Sequence, residues 1–187
     1  MRRAVAVATL ALAIGLPAPA HAAEIEGEAF SERIAAGPQP LELCSASLLR
    51  WKRLLKVYVA ALYLDECEVL PARPSDAPQR LELAYLRGFD GPQFAKAAET
   101  VLERSFDADV LAPLRERIAD LHAAYRDVDA GDRYTLTYLP GTGTELALNG
   151  KPLIIVPGAD FAAAYFAIWL GPEPADVGLR DRLLKRP

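Results

Sequence analysis

The alternation of apolar and polar residues predicts that strands open the folded part of the chain. Residues 56–64 are apolar on both alternating faces, which is typical of a central strand covered on each side. Residues 80–86 alternate less strictly and are predicted to be its antiparallel neighbour. Residues 41–49 and 55–65 are expected to form a hairpin that turns near residues 51–53.

Two segments with the spacing of helices follow the predicted strands. Gly91-Pro92 is predicted to start one helix, because proline is tolerated in the first helical turn. Apolar residues from Leu111 to Tyr125 recur at helical spacing and predict a second helix with one buried stripe.

The last third of the chain is predicted to form further strands, followed by helices. Residues 133–138 alternate as a half-buried strand does, and Asn149-Gly150 favours a type I′ turn between residues 144–148 and 151–156. Residues 160–169 carry almost no charge and predict a buried helix, and a last helix is expected around residues 177–185. This order predicts an α+β fold with an antiparallel sheet.

The first 22 residues have the organisation of a secretory signal peptide. Arg2 and Arg3 precede an apolar run from Ala4 to Leu16, and Ala20-His21-Ala22 follows as a cleavage site. The run is shorter than the roughly 20 residues of a membrane-spanning helix, and no second long apolar run follows. We therefore expect residues 1–22 to be removed and residues 23–187 to form a single periplasmic or secreted domain. An uncleaved N-terminal anchor is the alternative.

Net charge and cysteine content narrow the picture further. The 187 residues carry a formal charge of −4, which becomes −6 without Arg2 and Arg3, so nucleic acid is not expected as a partner. An oxidising compartment would permit a disulfide between Cys44 and Cys67. The predicted hairpin instead places Cys44 opposite residue 60, about 23 Å from Cys67 at ~3.3 Å per residue. The sequence leaves two possibilities for Cys44 and Cys67, which are a disulfide and two buried free thiols.

Motifs for catalysis or metal binding are scarce. His122 is the sole histidine after the predicted cleavage site and the cysteines lack the spacing of zinc ligands, so no metal and no cofactor are expected. His122 beside an apolar helical stripe is expected to be half-buried and hydrogen-bonded. The segment Gly141-Thr142-Gly143-Thr144 joins two predicted strands, which favours a β-turn over a phosphate loop.

A basic cluster at residues 50–53 stands out in this acidic chain. It lies next to the doubly apolar strand, where it could hold an anionic head group at the mouth of an apolar layer. Arg50 is the best candidate, because a guanidinium can grip a carboxylate through two hydrogen bonds. A solvated hairpin turn is the alternative interpretation.

Three blocks spread over most of the chain resemble the chalcone isomerase-like family, in particular a bacterial exported branch. They are Leu49-Arg50 with residues 56–64, then Gly131-Asp132 through Leu139-Pro140-Gly141 to Leu148-Asn149-Gly150-Lys151, and finally Gly158-Ala159-Asp160-Phe161 with Ile168-Trp169-Leu170-Gly171 and residues 179–184. The resemblance implies an antiparallel sheet with a layer of α-helices on one face. It also implies a ligand cleft between the two.

The same resemblance implies that isomerase chemistry is mostly lost. Plant isomerases of the family hold their substrate with an Arg, Thr, Tyr and Asn set. A second active-site Thr lies on a late helix. Arg50 matches the Arg. The other positions are changed, with Tyr58 at the first Thr, Phe94 at the Tyr, Val101 at the Asn and Ile168 at the second Thr. Losing one donor that stabilises developing negative charge costs on the order of 10²–10³ in rate, so useful catalysis of that reaction is not expected.

The leading hypothesis is a non-catalytic protein that binds a small amphipathic or fatty-acid-like ligand, by analogy with fatty-acid-binding members of the family. Arg50 would meet an anionic head group. The apolar cleft would be lined by Tyr58, Phe94, Val101, Ile168 and Trp169.

Two alternatives belong to other classes. One is an isomerase or lyase of unknown substrate in which Tyr58 acts as acid–base group and Arg50 lowers its pKa. The other is a structural or partner-binding module whose cleft is filled by side chains such as Trp169 and Phe94.

Overall fold

The computed structural model describes residues 21–52, 54–67 and 76–185. Residues 1–20 of the predicted signal peptide lie outside these ranges, as does Arg53 of the basic cluster. Cleavage near residue 22 therefore stays a prediction.

Strands and helices occur in the order expected from the sequence, with three additional short strands at the start. The strands are β1 (His21–Ile25), β2 (Glu28–Ser31), β3 (Arg33–Ala36), β4 (Gln39–Trp51), β5 (Leu55–Leu64), β6 (Gln79–Tyr85), β7 (Arg133–Leu139), β8 (Gly143–Leu148) and β9 (Lys151–Val156). The helices are α1 (Gly91–Ser105), α2 (Ala108–Leu111), a 3₁₀ helix (Ala112–Leu114), α3 (Arg115–Ala124), α4 (Ala159–Leu170) and α5 (Val177–Leu183).

Strands β3 to β9 form one antiparallel sheet, and their order across the sheet is their order in the chain. The helices pack on one face of this sheet, so the α+β fold with a helix layer is confirmed. The pairing of β6 with β5 is also as predicted. Asn149 and Gly150 have φ values of 51° and 73° and join β8 to β9 through the expected turn.

Strand β5 is covered on both sides, as its doubly apolar pattern predicts. Ala60, Leu62 and Leu64 face the main core beneath the helices. Val59, Ala61 and Tyr63 face a second core that includes Phe30 of β2. The hairpin of β1 and β2 supplies that second cover, which the sequence analysis did not identify.

An ion-pair network fastens this hairpin to the sheet. Arg133 of β7 pairs with Glu28 of β2 at 2.7 Å and with the buried Glu82 of β6 at 2.5 Å. Its guanidinium also donates to the carbonyl oxygen of Ala29 at 3.1 Å and lies over the Phe30 ring. Because a buried carboxylate is costly without a counter-charge, Arg133 stabilises both the sheet and its cover.

The predicted second helix is interrupted rather than continuous. Its apolar stripe is divided among α2, the 3₁₀ helix and α3. Pro113 lies at the interruption, where it has no N–H to donate and its ring crowds the preceding turn.

Cys44 and Cys67 form a disulfide, with their Cα atoms 5.2 Å apart. The predicted hairpin register was wrong, because Leu43 pairs with Tyr63 and Ser45 pairs with Leu62. Cys44 lies at this irregularity, close to the end of β5 instead of opposite residue 60. The chain needs only a short return after β5 to bring Cys67 beside it.

Candidate functional site

A cavity of about 410 Å³ lies between the sheet and the helices. Strands β5 to β8 form its floor, α1 and α4 contribute its walls, and Phe89, Tyr125 and Ala175 complete the lining. The lining is predominantly apolar and aromatic, and among the described residues that form it there is no Lys, Arg, Asp or Glu. Such a cavity suits an apolar part of a ligand.

Five of the six site residues predicted from the sequence are brought together here. Tyr58 comes from β5, Phe94 and Val101 from α1, and Ile168 and Trp169 from α4. Phe94 and Val101 lie two turns apart on one face of α1, which explains why helical spacing could place them on one wall. Phe94 and Trp169 border the space without filling it, in contrast to the hypothesis of a packed cleft.

Arg50, the sixth residue, does not line this cavity. The strand register shifts between Leu49 and Arg50, and such irregularities redirect side chains. The Arg50 guanidinium pairs with Glu26 at 3.3 Å, in the turn of the hairpin that covers the opposite face, and Lys56 pairs with the same carboxylate. The expectation that Arg50 stands at the mouth of the apolar cleft is thereby corrected.

Arg50 instead borders a second, more polar surface pocket of about 590 Å³. The residues that line it are Ser47, Leu48, Arg50, Asp176, Gly178 and Arg182.

An aromatic group on the cavity floor was not predicted from the sequence. Tyr85 is its centre, with ring centroids 5.6 Å from Tyr58, 5.4 Å from Phe94 and 6.1 Å from Tyr134. The alternation of Leu81, Leu83 and Tyr85 puts these side chains on one face of β6. Combined with the correct β5–β6 register, that alternation could have identified Tyr85, because it pairs directly with Tyr58.

The tyrosine hydroxyls around the cavity have different partners. The Tyr125 and Tyr165 hydroxyls are hydrogen-bonded to each other at 2.9 Å. The Tyr134 hydroxyl donates to the Arg126 carbonyl oxygen at 2.9 Å and accepts from the Arg126 N–H at 2.7 Å. The Tyr58 hydroxyl accepts the Nε1–H of Trp169 at 3.2 Å.

Burial keeps these phenols protonated. It raises the pKa of Tyr58, Tyr85 and Tyr125, and for Tyr58 the negative charge of Asp176 acts in the same direction. The expectation that Arg50 lowers the pKa of Tyr58 is therefore wrong. At neutral pH the tyrosines can serve as hydrogen-bond donors and not as bases.

His122 lies on α3, outside the cavity lining. It is half-buried as expected, between the rings of Tyr125 and Tyr165 at 6.3 Å and 6.1 Å. The expectation of a hydrogen-bonded histidine is not met at its buried Nε2, which has no partner in the described part of the chain. Burial lowers its pKa.

Residues 21–52, 54–67 and 76–185 contain no cluster of three His, Cys, Asp or Glu side chains arranged to hold a metal ion. None of their helices is both long enough and apolar enough to cross a bilayer.

An antiparallel sheet with helices on one face and an apolar cavity between the two layers defines an α+β protein with an internal cleft of ligand size. The family model for chalcone isomerase-like proteins matches residues 22–185, so the chain belongs to that family. No curated protein sequence matches it.

The comparison with solved structures agrees with this assignment. The crystal structure of a fatty-acid binding protein from Arabidopsis thaliana superposes with a TM-score of 0.61 and 17% sequence identity. The match covers 84% of this chain and 92% of that chain. At this identity the similarity shows that the fold is shared.

Proposed function

We propose that this chain is a non-catalytic chalcone isomerase-like protein that binds a small amphipathic, fatty-acid-like ligand between its sheet and its helices. The observation that carries the proposal is the apolar cavity of about 410 Å³. Its volume lies within the roughly 300–1,000 Å³ of typical small-molecule sites. The fold shared with a plant fatty-acid binding protein supports the same class of ligand.

The side chains at the family's catalytic positions support a binding role over an enzymatic one. Phe94, Val101 and Ile168 line the cavity without offering a polar group. Tyr58 keeps a hydroxyl, but burial raises its pKa away from the range of an efficient base.

We also propose that the protein belongs to a bacterial exported branch and acts in the periplasm or outside the cell. The basic start, the apolar run and the Ala20-His21-Ala22 site support export. A disulfide between Cys44 and Cys67 suits an oxidising compartment. N-terminal sequencing of the protein from a periplasmic fraction should begin at Ala23, and an intact Met1 would contradict this proposal.

Ligand binding can be tested with one blocked variant and one matched control. Ala97 lines the cavity yet is exposed, so Ala97→Trp should obstruct the opening at little cost to folding. Ala123 on α3 is exposed and does not line the cavity, so Ala123→Trp is the control. Displacement of the neutral fluorophore N-phenyl-1-naphthylamine by laurate or palmitate would be measured, with native mass spectrometry of the purified protein.

Wild type and Ala123→Trp should bind alike, and Ala97→Trp should bind at least tenfold more weakly. Arg50→Ala should retain binding, because Arg50 pairs with Glu26 and lies outside the cavity lining. Equal binding by Ala97→Trp and wild type would show that the ligand does not occupy this cavity.

A further inference from the structure

Two cavity tyrosines have a hydroxyl proton that the protein does not use. The Tyr58 oxygen accepts a hydrogen bond from Trp169, but in the described part of the chain its own O–H finds no acceptor. The Tyr85 hydroxyl has no hydrogen-bond partner of either kind among the same residues. The Tyr134 O–H, in contrast, donates to the Arg126 carbonyl oxygen, and the hydroxyls of Tyr125 and Tyr165 are hydrogen-bonded to each other.

Tyr85 lines the cavity and is 4% exposed. Fully sealed polar side-chain atoms without a partner do occur in the described fold, and they are Tyr63 Oη, Arg80 Nε, His122 Nε2, Thr137 Oγ1 and Thr144 Oγ1. Tyr85 is not one of them, so the surrounding protein does not fully seal its unpaired hydroxyl. A buried polar group of this kind gains a hydrogen bond when a ligand supplies a partner.

The two hydroxyls belong to one rigid pair. Tyr58 and Tyr85 are directly opposite each other in the β5–β6 ladder, which projects both side chains to the same face. Their rings meet edge to face at 5.6 Å, and Phe94 and Tyr134 pack against Tyr85 from other sides. Aromatic side chains held in this way have few alternative rotamers, so both hydroxyl oxygens are positioned before a ligand arrives.

We propose that Tyr58 and Tyr85 form a two-donor subsite for an uncharged carbonyl oxygen, the polar atom of a ligand such as a long-chain ester or ketone. This inference rests on the proposed function and specifies the chemistry of the same cavity. Both phenols are donors, and a carbonyl oxygen can accept two hydrogen bonds through its two lone pairs.

Charge favours a neutral carbonyl over a carboxylate. No described residue that lines the cavity carries a positive charge. The negative charge of Asp176 also acts on Tyr58. A carboxylate at this subsite would be buried without a counter-charge, which is costly even with hydrogen bonds.

The test compares three probes of similar chain length, which are methyl laurate, laurate at pH 8 and dodecane. The affinity of each probe is measured by displacement of N-phenyl-1-naphthylamine from wild type, Tyr85→Phe, Tyr58→Phe and the control Tyr125→Phe. Tyr125 also lines the cavity, but its hydroxyl is paired with Tyr165, so its loss should not change the preference for an ester. Tyr85→Phe is the cleaner variant, because Tyr58→Phe also removes the acceptor of Trp169.

Wild type should bind methyl laurate more tightly than laurate or dodecane. Tyr85→Phe should weaken methyl laurate about 3–10-fold, the effect of one neutral hydrogen bond, and leave dodecane unchanged. Tyr125→Phe should keep the wild-type ratio of the affinities for methyl laurate and dodecane.

Three results would overturn the subsite. In one, Tyr85→Phe weakens methyl laurate and dodecane equally, which would make Tyr85 a packing residue. In another, Tyr85→Phe changes the binding of neither methyl laurate nor dodecane. In the third, laurate is the preferred probe of wild type, which would assign the site to an anion. Failure of every probe to bind would instead reject the proposed function itself.

Discussion

Trp169 of α4 donates a hydrogen bond of 3.2 Å from its Nε1 to the Tyr58 hydroxyl of β5. Both residues line the cavity, so this bond joins the helix layer to the sheet beside the space where a ligand would lie. It satisfies the indole donor of the half-buried Trp169 and also orients the Tyr58 hydroxyl. The wall of the cavity and its polar chemistry thus depend on one contact.

A double-mutant cycle between Trp169→Phe and Tyr58→Phe should give a coupling free energy of about 0.5–1.5 kcal/mol, the value of a neutral hydrogen bond. Urea denaturation of the four proteins measures it. Pairing Trp169→Phe with Tyr138→Phe is the control, because the Tyr138 hydroxyl donates to Asp76 and not to the indole. A coupling near zero for Trp169 and Tyr58 would contradict the contact.

Replacing both Cys44 and Cys67 with Ala should destabilise the protein by about 3 kcal/mol, because the disulfide closes a loop with a sequence separation of 23. The measurement is the free energy of unfolding in urea without reductant. In parallel, thiol titration of the denatured, unreduced wild type should detect no free thiol. Two titratable thiols would show that the bridge does not form.

Gly143→Ala should destabilise the protein by about 3 kcal/mol or more. Its φ is 116°, and an added Cβ would lie 2.5 Å from the carbonyl oxygen of Val156. Gly141→Ala is the matched control in the same turn, since its φ is 76° and nothing lies within 4 Å of the added atom. That control should cost only about 1–2 kcal/mol, the penalty of the left-handed backbone. Equal losses in thermal or urea unfolding would refute the crowding at Gly143.

His122 should make the protein less stable in mild acid. Burial lowers its pKa in the folded state, so the unfolded chain binds a proton more readily, near its ordinary value of 6.5. The stability present above about pH 6.5 is therefore lost as the pH falls through this value, and the loss ends below the folded pKa. Glu99 opposes the effect without reversing it.

The variant His122→Gln isolates this contribution. Unfolding free energies at pH 8 and pH 5 should show a smaller loss on acidification for the variant than for wild type. Identical losses would mean that His122 is protonated as easily in the folded protein as in the unfolded chain.

The sequence predicted those parts of the fold that depend on local patterns. The doubly apolar run of β5, Asn149-Gly150 and the start of α1 at Gly91 each combine backbone preference with burial over a few residues. Phe94 and Val101 were assigned to the cleft by the resemblance to the family, and helical spacing places both on one face of α1.

The errors arose where distant segments meet. Strand register and its irregularities depend on pairs of strands, and they decided both the position of Cys44 and the direction of Arg50. Tyr85 was missed because its role follows from pairing with Tyr58. The β1–β2 hairpin is short and mixed in polarity, so its place on the sheet is determined by contacts such as Arg133 with Glu28.

The position of the helices in the chain has a consequence for how such cavities diverge. The chain leaves the sheet after Tyr85, builds α1, α2 and α3, and re-enters at Arg133 beside the strand that it left. One wall of the cavity is thus formed by a single connection between two adjacent strands, β6 and β7. Changes in its length or side chains would therefore alter the shape of the cavity, whereas the strand ladder and the Cys44–Cys67 bridge need not change.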